Sequence, residues 1–172
     1  PEAYLGKPNE AERIALIRDN MRRYLNEGLL TELPQGFVLV RRSVAGKERL
    51  GLVLALDLEQ YDYSKGSSTL IRATEGTIVS RIPPRLRIRE GAPIELPHIL
   101  VLIDDPARSV IEPLAKRENE LPLLYDTELM LGGGHITGHL VDKAADVLGV
   151  LAALAALTDA AAFRAKYGDK AP

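Results

Sequence analysis

The residues best suited to chemistry form an arginine-rich segment in the middle of the chain. Residues 72–89 hold five arginines and one glutamate, a net charge of +4, whereas the whole chain has a formal net charge of −2. A guanidinium binds two oxygens of a phosphate or carboxylate at once. In a strand, alternation with period two would place three guanidiniums on one face. The pattern predicts an anion site made by Arg72, Arg85, Arg87 and Arg89. The alternative is a solvated strand face paired with acids.

Two neighbouring features could contribute to the same site. Residues 64–69 combine small residues and hydroxyls with Lys65, the ingredients of an anion nest, although the spacing of a P-loop is absent. Glu75 is a lone acid among cations, which would keep its carboxylate ionised, as a general base requires. The alternatives are an ordinary surface turn around Lys65 and a structural role for Glu75.

A second set of candidates consists of metal ligands. Asp104 and Asp105 follow the apolar residues 99–103, and carboxylates at the end of a buried strand are common magnesium ligands. The same Asp-Asp-Pro sequence also terminates a strand and opens a turn. His135 and His139 have the spacing of a zinc pair on a helix. Neighbouring glycines disfavour a helix there, and in a strand the two rings would lie roughly 13 Å apart.

The strands that position these residues are predicted from apolar runs. Residues 37–44 and 50–58 read as a β-hairpin. The second strand is apolar on both faces, which places it centrally in a covered sheet. Residues 98–103 read as another buried strand. Residues 121–125 indicate a short strand, and residues 136–141 fit either an edge strand or the approach to a helix.

The helices are predicted from apolar periodicity and capping residues. A first amphipathic helix starts at the cap Asn9 and ends at Gly28. Residues 110–117 suit a short helix, residues 141–157 a long Ala/Leu-rich helix, and Asp159 caps a last helix. Strands and helices mix without strict βαβ alternation. We therefore expect an α+β fold, a mixed and largely antiparallel sheet packed with helices, in a single domain over residues 1–172.

Composition limits the classes of protein to consider. The chain is 46% apolar and 27% charged and contains no cysteine, which excludes disorder, a disulfide scaffold and thiolate-ligated metals. Without a basic excess, no nucleic-acid partner is expected. The longest nearly uncharged stretch, residues 147–157, is too short for a membrane span, so we expect a soluble cytoplasmic protein. That stretch is apolar around most of a helix, which predicts a homo-oligomer contact through residues 141–157 or cover by a missing C-terminal region.

Several motifs resemble one family. The sequence Ala-Leu-Asp-Leu-Glu-Gln-Tyr-Asp-Tyr-Ser-Lys-Gly at residues 55–66 and Ile-Arg-Ala-Thr-Glu-Gly-Thr at residues 71–77 are similar to the bacterial branch of the domain of unknown function 1015 family. The similarity extends through residues 82–85, 95–98, 102–106, 132–136 and 163–168. The resemblance covers most of the chain and implies an internal or N-terminal portion of a longer bacterial protein.

The resemblance also implies a chemistry. Family members carry an Asp-Gly-Asn/His-His segment just beyond the equivalent of Pro172. That segment is similar to the Asp-Gly-His-His-Arg box of ParB- and sulfiredoxin-like nucleotide-using proteins, some of which phosphorylate free serine. We therefore expect binding of a phosphorylated small molecule or nucleotide, with magnesium and ATP as possible cofactors, in part of a phosphotransfer enzyme that is catalytically incomplete in this chain. The alternative is a non-catalytic regulatory or protein-interaction module.

Overall fold

The computed structural model describes residues 6–62, 64, 69–71, 76–96 and 98–168. Contacts group the chain into two compact units. Unit 1 comprises the described residues of Pro1–Glu32 and Ala73–Leu102, and unit 2 those of Leu33–Arg72 and Ile103–Pro172. A single domain over residues 1–172 stays a prediction, because two compact units can belong to one domain or to two.

Unit 1 begins with helix α1 (Glu10–Asn26), which confirms the predicted N-terminal helix. Its apolar positions recur at helical spacing, and Ile14 is the buried residue among them. Gly28 follows the helix with φ 69°, a conformation that glycine adopts without strain. Asn9 is the N-cap residue of α1, as predicted, but its side chain makes no capping hydrogen bond. The Glu10 carboxylate instead accepts a hydrogen bond from the backbone N–H of Gly6 at 2.5 Å.

Residues 82–89 of the arginine-rich segment form a helix and not the predicted strand. Helix α2 (Ile82–Arg89) has proline in its first turn, at Pro83 and Pro84. The first N–H groups of a helix have no intrahelical partner, so the missing proline N–H groups cost nothing there. The prediction of extended backbone at Arg85, Arg87 and Arg89 is therefore wrong.

Unit 2 is built on an antiparallel sheet with strand order β2-β1-β4-β3 in the described part of the chain. Ala45 and Gly46 connect β1 to β2 with φ angles of 48° and 73°, as a tight type I′ hairpin turn requires. The predicted hairpin is therefore confirmed. The strands are β1 (Phe37–Val44), β2 (Lys47–Val53), β3 (Leu123–Leu129) and β4 (Gly134–Val141).

Strands β2 and β4 occupy positions in the sheet that differ from the predicted ones. β2 is an edge strand that ends at Val53, and not a central strand over residues 50–58. β4 lies inside the sheet, where Leu39 of β1 is paired with His139. Apolar residues on both faces show that a strand can be covered on both sides, but they do not fix which strands flank it.

Residues 98–103 form no strand, which corrects the prediction of a buried one. Ile99 is 89% exposed and Leu102 is 78% exposed. Among the described residues, no backbone-to-backbone hydrogen bond involves residues 98–104. A strand depends on a partner strand for its hydrogen bonds, so apolar and β-branched composition alone does not produce one.

The core of unit 2 lies on one face of the sheet. Leu39 and Val141 are fully buried there, and helices α3 (Glu112–Ala115) and α4 (Ala144–Leu157) contribute Leu114 and Val150. Helix α5 (Ala160–Tyr167) follows, and the Asp159 carboxylate accepts the N–H of Ala162 at 2.7 Å. These helices confirm the predicted ones, except that α4 begins at Ala144 and not at residue 141, which belongs to β4. The fold class is α+β, as predicted.

Helix α4 is buried on one side only. Val150 contacts the core, whereas Leu148 is 64% exposed and Leu151 is also exposed. A homo-oligomer contact through this helix stays a prediction. No single helix in the described residues is long and apolar enough to span a membrane. The pair α4 and α5, bent by 49° at the break between them, reaches that length and composition only when the two helices are taken together.

Gly134 allows a first prediction. Its φ is 82°, and a Cβ there would overlap the backbone carbonyl oxygen of Ser43. We expect Gly134→Ala to lower the free energy of unfolding by about 3 kcal/mol, because strain at positive φ and overpacking against backbone add. Gly46 has φ 73° and open space around its Cβ position, so Gly46→Ala should cost only about 1 kcal/mol. Urea unfolding measures both, and equal losses would contradict the steric argument.

Candidate functional site

The structure separates the arginines that the sequence grouped together. Arg72, Lys65 and Glu75 lie outside the described residues, so their predicted roles stay predictions. On α2 each residue advances by about 100°, so Arg85 and Arg89 share a face that Arg87 does not. The three described guanidiniums of the predicted anion site are therefore not aligned on one face.

Two of these arginines pair with different carboxylates. Nε of Arg87 donates to Glu10 at 2.7 Å, and Nε of Arg89 lies 2.8 Å from Glu95. Both partners belong to unit 1 but to separate segments of it. Convergence of the arginines of α2 on one anion site therefore stays a prediction, with Arg87 and Arg89 already in separate ion pairs.

Arg87 nevertheless lines an open concavity of about 480 Å³ in unit 1. Its partner there is Arg18 of α1, whose Nη2 donates to the backbone carbonyl of Arg87 at 2.7 Å. Nε of Arg18 is buried and has no hydrogen-bond partner among the described residues. The concavity is lined by Pro8, Glu10, Ala11, Ile14, Ala15, Arg18, Arg87 and Glu90. Sequence patterns missed Arg18, because it precedes Arg87 by 69 residues and carries no local signal.

The charges in the concavity are balanced. The hydrogen bond from Arg87, together with the N–H of Gly6, lowers the pKa of Glu10, so its carboxylate is ionised at neutral pH. Glu90 adds a second carboxylate to the lining of the concavity. The site therefore offers hydrogen-bond donors to an anionic group, but its two carboxylates disfavour a ligand with a large negative charge.

A second polar cluster lies on the core-facing side of the sheet in unit 2. Arg41 on β1 is paired with Thr137 on β4 in the register of the two strands. Nε and Nη2 of Arg41 donate to one oxygen of Glu118 at 2.8 and 2.6 Å, and Nη1 donates to Glu48. Thr137 donates to the other Glu118 oxygen at 3.4 Å. One carboxylate thus joins two strands to the 3-10 turn Glu118–Glu120.

His139 completes this cluster, and its Nδ1 makes no hydrogen bond to another described residue. Its Nδ1 lies 3.4 Å from an oxygen of Glu118 and is buried. The hydrogen bond from Arg41 lowers the pKa of Glu118, and His139 and Thr137 lower it further. The same Arg41–Glu118 contact raises the pKa of the Arg41 guanidinium. The cluster is an ion pair fixed beside an imidazole, and its contacts stabilise the fold.

An adjacent ion pair continues the network toward α4. Nη2 of Arg117 donates to Asp146 at 2.5 Å, and this contact raises the pKa of Arg117. The second oxygen of Asp146 is buried without a partner among the described residues. Arg117 and Glu118 are consecutive, so one short segment is tied both to the helix and to the sheet.

The two candidate magnesium ligands have separate partners. Asp105 accepts hydrogen bonds from Ser109 and from the N–H of Val110, at 2.6 to 3.0 Å. Desolvation raises the pKa of Asp105, but the hydrogen bonds from Val110 and Ser109 outweigh it and leave that pKa below its ordinary value. Asp104 lies 2.9 Å from Nζ of Lys166. The contacts of Asp105 are those of a turn-opening residue.

The described residues do not fit a metal site. Among residues 6–62, 64, 69–71, 76–96 and 98–168, no group of three or more acidic or histidine side chains could hold an ion. His135 and His139 point to different partners, since His135 lies 2.9 Å from both Asp126 and Glu128. Magnesium ligation by Asp104 or Asp105 stays a prediction.

Glu118 is a partly buried charged residue of unit 2 whose substitution should destabilise the unit. Glu118 is 14% exposed and its partner Arg41 is 28% exposed. We expect Glu118→Gln to lower the free energy of unfolding by about 2 kcal/mol, because Arg41 loses a charged acceptor in a partly buried place. Glu120→Gln, at an exposed side chain on the same turn, should change it by less than about 0.5 kcal/mol. Similar losses in both variants would contradict the role of Glu118.

The pH dependence of that difference follows from the pKa of Glu118. A carboxyl whose pKa is lower in the folded state stabilises fully above its unfolded-state pKa, and the contribution disappears as pH falls through the folded-state pKa. We expect the stability difference between wild type and Glu118→Gln to be constant near neutral pH and to shrink below about pH 4. Urea unfolding at stepped pH measures this, and a difference that grows on acidification would contradict it.

The model of the family described as "Protein of unknown function (DUF1015)" matches residues 1–162. No curated protein and no solved structure matches the chain. The family match confirms the resemblance that the sequence motifs indicated. Because it covers most of the 172 residues, the chain belongs to the DUF1015 family of proteins of unknown function.

Proposed function

We propose that this chain binds a phosphorylated small molecule or a nucleotide in the concavity of unit 1. One observation carries this proposal: Arg18 and Arg87, from distant parts of the sequence, line the same concavity. Guanidinium groups suit phosphate because their planar donors match two phosphate oxygens. Among the described residues of the predicted anion site, Arg87 alone lines this concavity.

Both arginines have N–H donors beyond those that their hydrogen bonds in unit 1 use. Arg18 is fixed through Nη2 to the Arg87 carbonyl, and its buried Nε is unsatisfied. Among the described residues, Arg87 pairs with Glu10 through Nε. A phosphate placed between the two guanidiniums would satisfy donors that cost free energy when buried without a partner. The phosphate would also lie near the carboxylates of Glu10 and Glu90. Because these carboxylates repel negative charge, a singly or doubly charged group is favoured over a triphosphate bound within the concavity.

The other lining residues suit the uncharged part of such a ligand. Ala11, Ile14 and Ala15 of α1, with Pro8 just before the helix, give the concavity an apolar wall. A volume of about 480 Å³ lies within the range of small-molecule sites. An apolar wall beside two guanidiniums fits a molecule with a planar or apolar portion and an anionic end, as in a nucleoside monophosphate.

Phosphotransfer is a further step of the same proposal. It would require a base and charge-stabilising groups in addition to the anion contacts. Glu75 is the predicted base, and Lys65 and Arg72 are predicted anion contacts. These residues lie outside the described part of the chain, so transfer chemistry rests on the family resemblance alone.

The binding proposal is tested by titration calorimetry with AMP and with inorganic pyrophosphate. We expect the double variant Arg18→Gln/Arg87→Gln to weaken AMP binding at least about tenfold, since charge-assisted hydrogen bonds contribute about 1.5–3 kcal/mol each. Arg89→Gln is the matched control, because Arg89 lies on the same helix and in an ion pair but outside the concavity. Unchanged AMP affinity in the double variant, or equal loss in the control, would refute the site.

A second candidate function is a non-catalytic interaction module. It is favoured by exposed apolar residues in the run 99–103 and on α4. Thermal unfolding with and without AMP separates the two candidates. A ligand at one hundred times its Kd stabilises by about 2.7 kcal/mol, whereas an interaction module would show no such shift.

A further inference from the structure

One carboxylate that lines the concavity of unit 1 has no partner among the described residues. Glu90 is exposed, and its carboxylate accepts no hydrogen bond from another described residue and forms no ion pair with one. The other carboxylate, that of Glu10, is held by Nε of Arg87 at 2.7 Å and by the N–H of Gly6 at 2.5 Å. Glu90 is therefore the acidic group of the concavity that is available to a ligand.

The guanidinium of Arg18 lies close to the backbone at Glu90 without pairing with the Glu90 carboxylate. Nη2 of Arg18 donates to the carbonyl of Arg87, three residues before Glu90. The same guanidinium lies against Gly91, the residue after Glu90, because a Cβ built on Gly91 would be 3.8 Å from Cζ of Arg18. A cation and a carboxylate are thus held near each other in the concavity without neutralising each other.

We propose that the ligand of this concavity is a phosphate monoester of a short amino alcohol, which carries an ammonium group as well as the phosphate. This rests on the function proposed above, because the phosphate is again bound by Arg18 and Arg87. The ammonium group donates hydrogen bonds to the carboxylate of Glu90. Hydrogen bonds between two charged groups are shorter and stronger than those between neutral groups, so the second contact adds both affinity and selectivity.

The spacing of the charged residues selects a short ligand. Arg87 and Glu90 are three residues apart at the end of α2, and side chains so spaced on a helix are neighbours, with Cβ atoms about 5–6 Å apart. A phosphorus and an amine nitrogen joined through one oxygen and two carbons are separated by four bonds of roughly 1.5 Å each, which span at most about 5 Å. The two charged groups of such a ligand therefore reach both side chains at once.

The charge balance of the concavity favours the same class of ligand. Two arginines and two glutamates line it, so the lining suits a ligand that carries both signs of charge better than one that carries only negative charge. A phosphate monoester has a charge of about −1.5 to −2 at neutral pH, and an ammonium group offsets part of it. The amine also replaces repulsion from Glu90 by attraction, which a simple phosphate ester cannot do.

The test is titration calorimetry at neutral pH with 2-aminoethyl phosphate and with ethyl phosphate, which lacks only the amine. We expect the chain to bind 2-aminoethyl phosphate at least about tenfold more tightly, and Glu90→Gln to reduce that preference below about twofold. Glu95→Gln is the matched control and should keep the full preference, because Glu95 is an exposed carboxylate of unit 1 that pairs with Arg89 outside the concavity. Glu90 is exposed, so Glu90→Gln keeps its fold, which circular dichroism verifies.

The double variant Arg18→Gln/Arg87→Gln separates failure of the amine contact from failure of the anion site. Equal affinity of the wild type for the two esters, with both lost in the double variant, would leave the anion site standing and refute the amine contact. A preference that persists in Glu90→Gln, or that Glu95→Gln removes equally, would also refute the amine contact. Binding of neither ester by the wild type, or binding that the double variant leaves unchanged, would refute both proposals.

Discussion

The consecutive side chains of Arg117 and Glu118 hold unit 2 together by pairing in two directions. Glu118 binds Arg41 on β1, and Arg117 binds Asp146 on α4. Two opposite charges on neighbouring residues therefore fix the distance between the sheet and the helix that covers it. Because the Glu118 contact is partly buried, its loss leaves the Arg41 guanidinium short of a charged acceptor in a place with little water. The buried residues Leu39 and Val150 pack in the core between the sheet and the helix that these ion pairs connect.

Elements that depend on local interactions could be predicted from the sequence, and those that depend on a partner could not. Periodicity and capping predicted α1 and α5, and Asp159 caps α5 as expected. The turn at Ala45 predicted the β1–β2 hairpin. By contrast, the position of β2 at an edge depends on which strand pairs with the other side of β1. Residues 99–103 have the composition of a strand, but strand formation needs a neighbour that composition does not specify.

The candidate site shows the same division. The density of arginine in residues 72–89 drew attention to Arg87, which lines the concavity. The spacing of the arginines predicted the wrong backbone geometry. Arginines at every second position fit a strand, but the preceding proline pair also suits the first turn of a helix, which is what forms. Arg18 could not have been found from its own surroundings, since on an amphipathic helix it is one of several polar residues. Its importance comes from a hydrogen bond to a carbonyl 69 residues away.

The exposed side chains of residues 99–103 carry a cost in free energy. Burying an aliphatic side chain is worth about 1.5–3 kcal/mol relative to exposure, so five exposed ones approach the whole stability of a small domain, about 5–15 kcal/mol. Ordering the backbone costs about 1–2 kcal/mol per residue, so this run would gain by forming a strand only where both of its faces were covered. Apolar composition therefore creates the cost, and it takes a neighbouring strand to remove it.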